Sequence, residues 1–322
     1  MNSRLLFVFI SLFLIAPGAG AAEDLKPIGS TLLIDASKLK LASANALVFD
    51  AQTGQPIYAK GADAVTAIAS VTKLMTAMVV LDSQQALDDV LEIDTADYDL
   101  LKNSSSRLRA GTTLSRREML RLALMSSENR AASSLARHFP GGKQAFVTAM
   151  NFKAASLGLT HTHYSDPTGL SPENVSTASD LAKLVQAAAE YPMIREFTTT
   201  PSYLVEMDTG RTLGFNNSNA LVKKQDWDIT LQKTGYIREA GKCVVMLVNI
   251  ASKPFVIVLL DSLGKYTRIA DAQRVKHWLE TGESLALTPV RAARAVKAHV
   301  SHASHRVRGT LRPRLVKTSQ KH

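Results

Sequence analysis

Between residues 70 and 82 the apolar side chains Val71, Leu74, Met75, Met78, Val79 and Leu81 recur mainly at three- and four-residue steps. That spacing gathers them on one helical face, so a buried helix is expected to start near Ser70. The stretch "TLSRREMLRLALMSSENRAASSLARHF" has helical composition on both sides of a break at "SSEN". It predicts two helices, the first opened by a capping box of Ser115 and Glu118 and turning Met119, Leu122 and Leu124 toward a core. A third helix is expected over residues 143–157, stopped by Gly158. A fourth follows a Pro- and Gly-rich loop, with Thr177 as its cap and Asp180 three residues on.

Elsewhere the pattern is that of strands. In "SANALVFDAQTGQPIYAKGAD" residues 46–50 and 56–59 are strand-like and are joined by turn residues, which predicts a hairpin. "DITLQKTGYI", "GKCVVMLVNI" and "KPFVIVLLDS" are three more strand-like runs with short polar turns between them, and a closing helix is expected over residues 266–279. Strands, helices, strands, helix is an α+β order. It predicts one antiparallel sheet built from both ends of the chain, a separate helical lobe from the middle, and a cleft between them.

Composition changes this picture mainly at the two ends. Arg4, an apolar run over residues 5–15 and the small residues Ala19-Gly20-Ala21 read as an export signal over residues 1–22. This run of eleven residues, apolar except for Ser11, falls short of the roughly 20 needed to cross a bilayer, and no later segment is long enough either. A periplasmic location, without a transmembrane segment, is the expectation. The formal charge of +10 is uneven, because residues 285–322 hold nine Lys or Arg and no Asp or Glu. Without these and Arg4 the body, residues 23–284, is close to neutral. The tail has few large apolar residues, so a disordered basic extension is expected, either merely solvated or touching an anionic envelope surface. A nucleic-acid partner does not fit an exported protein. Cys243 is the sole cysteine, inside an apolar strand run, and is expected to be buried rather than reactive.

Ser-x-x-Lys occurs three times, at Ser37 and Lys40, Ser70 and Lys73, and Ser262 and Lys265. Only the middle copy opens a strongly apolar helix, with serine and lysine one turn apart on one face. A lysine held against a packed surface has a lowered pKa, and a neutral amine can take the serine proton. The competing reading is a helix cap beside a solvated lysine. Ser127-Glu128-Asn129 gives Ser-x-Asn at the break between two helices, with a second copy at Ser43-Ala44-Asn45. Lys233-Thr234-Gly235 occurs once, in a strand where a glycine admits a close backbone approach by a ligand. His161 and His163 lack an acidic or Cys cluster and read as surface residues; no metal or cofactor is called for.

The three motifs in this order resemble those of the penicillin-binding serine peptidases and class A β-lactamases. "DPTGLSPENVSTASDLAKL" and "LQKTGYIREAGKCVVML" are similar to the low-molecular-mass D-alanyl-D-alanine peptidases, and most of all to the endopeptidases that cut peptidoglycan cross-links. The resemblance implies a serine β-lactamase/DD-peptidase-like fold with its active site in the cleft between sheet and helical lobe. It implies Ser70 as nucleophile, Lys73 as base and Ser127 as proton relay. Asn129 and Thr234 would hold the substrate, Lys233 would supply positive charge near Ser127, and the N–H groups of Ser70 and Tyr236, just past Gly235, would form the oxyanion hole. Peptidoglycan stems would be the substrate and β-lactams covalent inhibitors.

Glu173 directly precedes Asn174, without the Glu-x-x-x-Asn spacing of a fast-deacylating β-lactamase, so slow deacylation is expected. Carboxypeptidases of this family carry a second β-rich domain and a C-terminal amphipathic anchor. Neither is expected after residue 284, which favours an endopeptidase over a carboxypeptidase. A noncatalytic wall-binding or β-lactam-sensing module is a third reading, although a binder has no use for a buried lysine beside a serine.

Overall fold

The computed structural model describes residues 34–287 except 100, 101, 103, 208 and 209. The expected export signal and all but the first residues of the basic tail lie outside the described residues. In chain order the strands and helices are β1 (Asn45–Asp50), β2 (Gln55–Lys60), β3 (Thr66–Ala67), α1 (Lys73–Asp82), β4 (Val90–Glu92), β5 (Thr113–Ser115), α2 (Arg116–Met125) and α3 (Asn129–Arg137). Then follow α4 (Gly142–Ser156), β6 (Val175–Ser176), α5 (Ala178–Ala189), α6 (Pro192–Thr199), β7 (Ser202–Glu206), β8 (Thr212–Asn216), β9 (Asp228–Ile237), β10 (Gly241–Ile250), β11 (Lys253–Ser262) and α7 (Thr267–Thr281).

The expected sheet forms from both ends of the chain. Five strands run in the order β2-β1-β11-β10-β9, and every neighbouring pair is antiparallel. Alternation along β10 feeds two cores. Cys243 and Val245 join the core shared with the helices, while Val244, Met246 and Val248 join a second core with Val275 and Trp278 of α7 on the other face. Covered on both faces, β10 and β11 are therefore apolar almost throughout rather than alternating.

The capping signals act as read. Ser115 and Glu118 form the reciprocal capping box of α2, and the Thr177 side chain accepts from the Asp180 N–H at the start of α5. The periodic run after Ser70 behaves differently from its pattern. Every residue of α1 from Lys73 to Val80 is buried, so this is a core helix enclosed on all sides rather than a one-faced one. It begins only at Lys73, behind a 3-10 turn at Ala69–Thr72. The hairpin β7–β8, the short pairs β3–β6 and β4–β5, and α6 have no counterpart in the hydrophobic pattern. They are short, and β7 and β8 each bury one residue in five. Among the described residues no helix is long and apolar enough to cross a membrane.

Candidate active site

Burying a lysine amine removes the water that stabilises its charge. Lys73 opens α1 at 0% exposure, and burial is the main cause that lowers its pKa to about 7; the charges of Asp166 and Glu128 act in the opposite direction. Its Nζ lies 2.9 Å from Ser70 Oγ, 2.7 Å from Asn129 Oδ1 and 2.7 Å from the Thr168 carbonyl. A neutral amine has two hydrogens and one lone pair. The amide and carbonyl oxygens can only accept, so they take both hydrogens and leave the lone pair for the Ser70 hydroxyl. Asn129 is fixed in this orientation, because its Nδ2 donates to Ser104 Oγ at 3.0 Å. The geometry is that of an acceptor waiting for the Ser70 proton.

The turn carrying Ser70 is held by backbone packing that no motif announces. Ala69 has φ +48°, a costly conformation for a residue with a Cβ. A Cβ on Gly169 would overlap the Ala69 carbonyl. A Cβ on Gly235 would lie 2.9 Å from the Ile68 carbonyl and 3.0 Å from the Ser70 nitrogen. Two glycines thus grip the Ala69–Ser70 peptide from the 165–174 loop and from β9. The close approach at Gly235 is made by the chain's own Ser70 turn rather than by the ligand expected there.

The 165–174 loop is itself tied inward. Asp166 accepts from the N–H groups of Gly169 and Ser171, each at 2.8 Å, which turns the Thr168 carbonyl toward Lys73. Asn174 is wholly buried; its Oδ1 accepts from the N–H of Ser165 and Asp166, and its Nδ2 donates to Thr72 Oγ1 and the Asp166 carbonyl. Glu173 beside it is exposed.

Ser127 sits between α2 and α3 with φ +63°, and Asn129 begins α3. On β9, Lys233 is buried and donates to the Thr234 carbonyl at 2.8 Å, while Thr234 Oγ1 donates to Ser218 Oγ at 2.7 Å. Burial first, then the charges of Lys73 and Arg268, push the Lys233 pKa well down. An anion entering the cleft would act in the opposite direction and favour the protonated amine.

Ser70, Ser127, Asn129, Thr234, Gly235 and Tyr236 line one cavity of about 480 Å³, with the two buried lysines beneath it. Three distant stretches of chain meet there, which the spacing of the motifs could not reveal. Arg268 of α7 lines the same cavity and was missed from sequence. It donates to the carbonyls of Gly235 at 2.9 Å and Cys243 at 3.3 Å, stiffening β9 from behind. Glu128 was also passed over; its carboxyl is largely buried, one oxygen has no partner, and burial raises its pKa. Lys102, which also lines the cavity, pairs with Glu239 at 2.6 Å.

The extra motif copies are structural. Ser43 and Ser262 hydrogen-bond each other at 2.7 Å in a buried network with Asp271, and Lys40 donates to the Ser37 carbonyl. Cys243 is buried in β10, where burial raises its pKa to about 11. His161 and His163 are exposed, and among the described residues no group of three or more His, Cys, Asp or Glu is placed to hold a metal.

Comparison with known proteins places this geometry. Residues 33–263 match the D-alanyl-D-alanine carboxypeptidase family. The chain is 49% identical over 288 residues to a D-alanyl-D-alanine endopeptidase of Pseudomonas aeruginosa, covering 89% of this chain and 92% of that one. It is 48% identical to a D-alanyl-D-alanine endopeptidase of Escherichia coli, over 80% of this chain and 83% of the relative. The crystal structure of a Streptomyces DD-transpeptidase superposes with a TM-score of 0.70 at 28% identity, covering 75% of this chain and 98% of the other. The chain belongs to the D-alanyl-D-alanine carboxypeptidase family of serine peptidases.

Proposed function

We propose that this protein is a penicillin-binding serine D-alanyl-D-alanine endopeptidase that hydrolyses peptidoglycan cross-links. The observation carrying the reading is the Lys73 amine, desolvated and hydrogen-bonded so that its lone pair is left for Ser70. Ser70 Oγ attacks the D-alanyl carbonyl carbon as its proton passes to Lys73. The oxyanion is held by the N–H groups of Ser70 and Tyr236, which the contact of Gly235 with the Ser70 backbone brings into proximity. Collapse breaks the C–N bond, and the departing amine takes a proton through Ser127. Water then attacks the acyl-enzyme carbonyl as its proton passes to Lys73; the ester C–O bond breaks, Ser70 Oγ takes that proton back from Lys73, and the product leaves as a free carboxylic acid that ionises in water. Asn129 and Thr234 hold the substrate backbone, Arg268 in the cavity wall makes the cleft attractive to a carboxylate, and a carboxylate bound there would favour the protonated form of Lys233.

Nearly half of the residues are shared with relatives bearing the endopeptidase name, which favours cleavage within a cross-link over trimming of a terminal D-alanine. With the signal over 1–22 removed the enzyme would work in the periplasm, and the basic stretch 285–322 would lie outside the catalytic domain, free to touch an anionic envelope surface. The test is digestion of purified cross-linked muropeptides with product masses read out. Dimers split to monomers support an endopeptidase; loss of D-alanine alone means a carboxypeptidase, and intact dimers with reversible ligand binding mean a sensing module.

A further inference from the structure

The hairpin β7–β8 and the loop leading to β5 enclose a second cavity of about 290 Å³, lined by Arg107, Arg109 and Arg211 together with Ser106, Met207 and Leu213. All three arginines are exposed, and no ion pair joins any of them to a carboxylate among the described residues. Three like charges around one concavity repel one another, so an uncompensated set attracts an anion. Arg107 is already positioned: its guanidinium lies 4.0 Å from the centre of the Phe215 ring and donates to the Gly214 carbonyl. One N–H of five is thereby used and the fork keeps donors for a carboxylate. Ser104 lines the catalytic cavity and Ser106, two residues further along the chain, lines this one, so these two lining residues are at most about 7 Å apart, a separation an extended peptide spans in two residues of its own.

We propose that Arg107, Arg109 and Arg211 form a carboxylate-binding subsite for an acidic peptide whose scissile bond lies at Ser70. The inference rests on the peptidase reading and adds a substrate class to it, a stem peptide with free carboxylates beyond the residues flanking the cut. An isolated terminal dipeptide would not reach this subsite, whereas a cross-linked stem would. The subsite therefore selects for the larger substrate.

The test uses the full chain carrying Ser70→Ala, so that the ligand stays intact. Dissociation constants are measured for a cross-linked muropeptide dimer and for the same dimer with its free carboxylates amidated. The acidic dimer is expected to bind about tenfold more tightly, the scale of two or three partly exposed charge-assisted contacts, with the preference shrinking as salt rises. In an added Arg109→Gln/Arg211→Gln pair the preference should vanish, and Arg109→Lys/Arg211→Lys should keep part of it; melting temperatures report that each variant is folded. Equal affinities for the two dimers, or a preference that survives the glutamine pair, overturn the proposal. Sedimentation with phosphatidylglycerol vesicles is the second arm. Loss of vesicle binding in the glutamine pair, with the dimer preference unchanged, would make this a lipid contact and also overturn it. Because the readout is binding, a peptidase reading that failed on turnover would leave this result standing on its own.

Discussion

At the scale of single residues, the site works by making two groups uncomfortable. Lys73 has lost its hydration, and Ser127 holds a left-handed backbone conformation at φ +63° that side chains other than glycine disfavour. The Lys73 shift has a definite sign. Between about 7 and the usual 10.5 the unfolded chain holds a proton that the folded one lacks, so this group lowers stability progressively as pH falls through that window. Ser127 can be tested directly. Ser127→Ala keeps the strain and loses the hydroxyl, whereas Ser127→Gly loses both. Both variants should be poor catalysts, and by thermal denaturation the glycine variant should be the more stable by roughly 0.5–1 kcal/mol. Equal stabilities would mean that the backbone at Ser127 is not strained.

At the scale of elements, what holds Ser70 is the meeting of a turn, a loop and a strand. Gly235→Ala places a methyl group 2.9–3.0 Å from the Ile68 carbonyl and the Ser70 nitrogen, so β9 must retreat from the turn. Loss of one oxyanion donor costs on the order of 10²–10³ in rate, and labelling by a fluorescent penicillin should slow on that scale while the five-stranded sheet persists by circular dichroism. Wild-type labelling would show that the contact is slack. Asn174→Ala strips partners from the half-buried N–H groups of Ser165 and Asp166 and from the buried Thr72 hydroxyl. It should cost roughly 2–4 kcal/mol in denaturant unfolding and also slow acylation, because the Thr168 carbonyl would no longer be held on Lys73. A stability change under about 0.5 kcal/mol would contradict this account of the loop.

At the scale of the whole molecule, the sheet-and-helix division and all three motifs were legible in the sequence. The division rests on local rules: period-3.6 runs, the Ser115 and Thr177 caps, and long apolar strands buried on both faces; the motifs stand out from their extra copies by local context and by the family resemblance they carry together. The structural roles of Gly169, Asn174, Arg268 and Glu128 are not legible because their partners lie far along the chain. Arg268 acts on Gly235 from α7, and Asn174 on Thr72 from another loop. The loop residues Asp166, Gly169 and Asn174 did leave a trace in "DPTGLSPEN", a turn-rich run ending in an asparagine, but nothing local says which turn of the protein it grips. The exposed Glu173 carries the β-lactamase question to this scale. With penicillin in excess, the protein should show a stoichiometric burst and then almost no turnover; sustained hydrolysis would mean that another group activates the deacylating water.

Catalysis as proposed turns on an uncharged Lys73 taking the proton of Ser70. The most direct measurement is the rate of acylation by a fluorescent penicillin as a function of pH, with the adduct located by mass spectrometry of tryptic peptides. The account predicts an adduct on Ser70, in the peptide from Gly61 to Lys73, and a rate that rises with pH through an apparent pKa of about 7. An adduct on any other residue, or a rate that does not change between pH values on either side of that point, would contradict it.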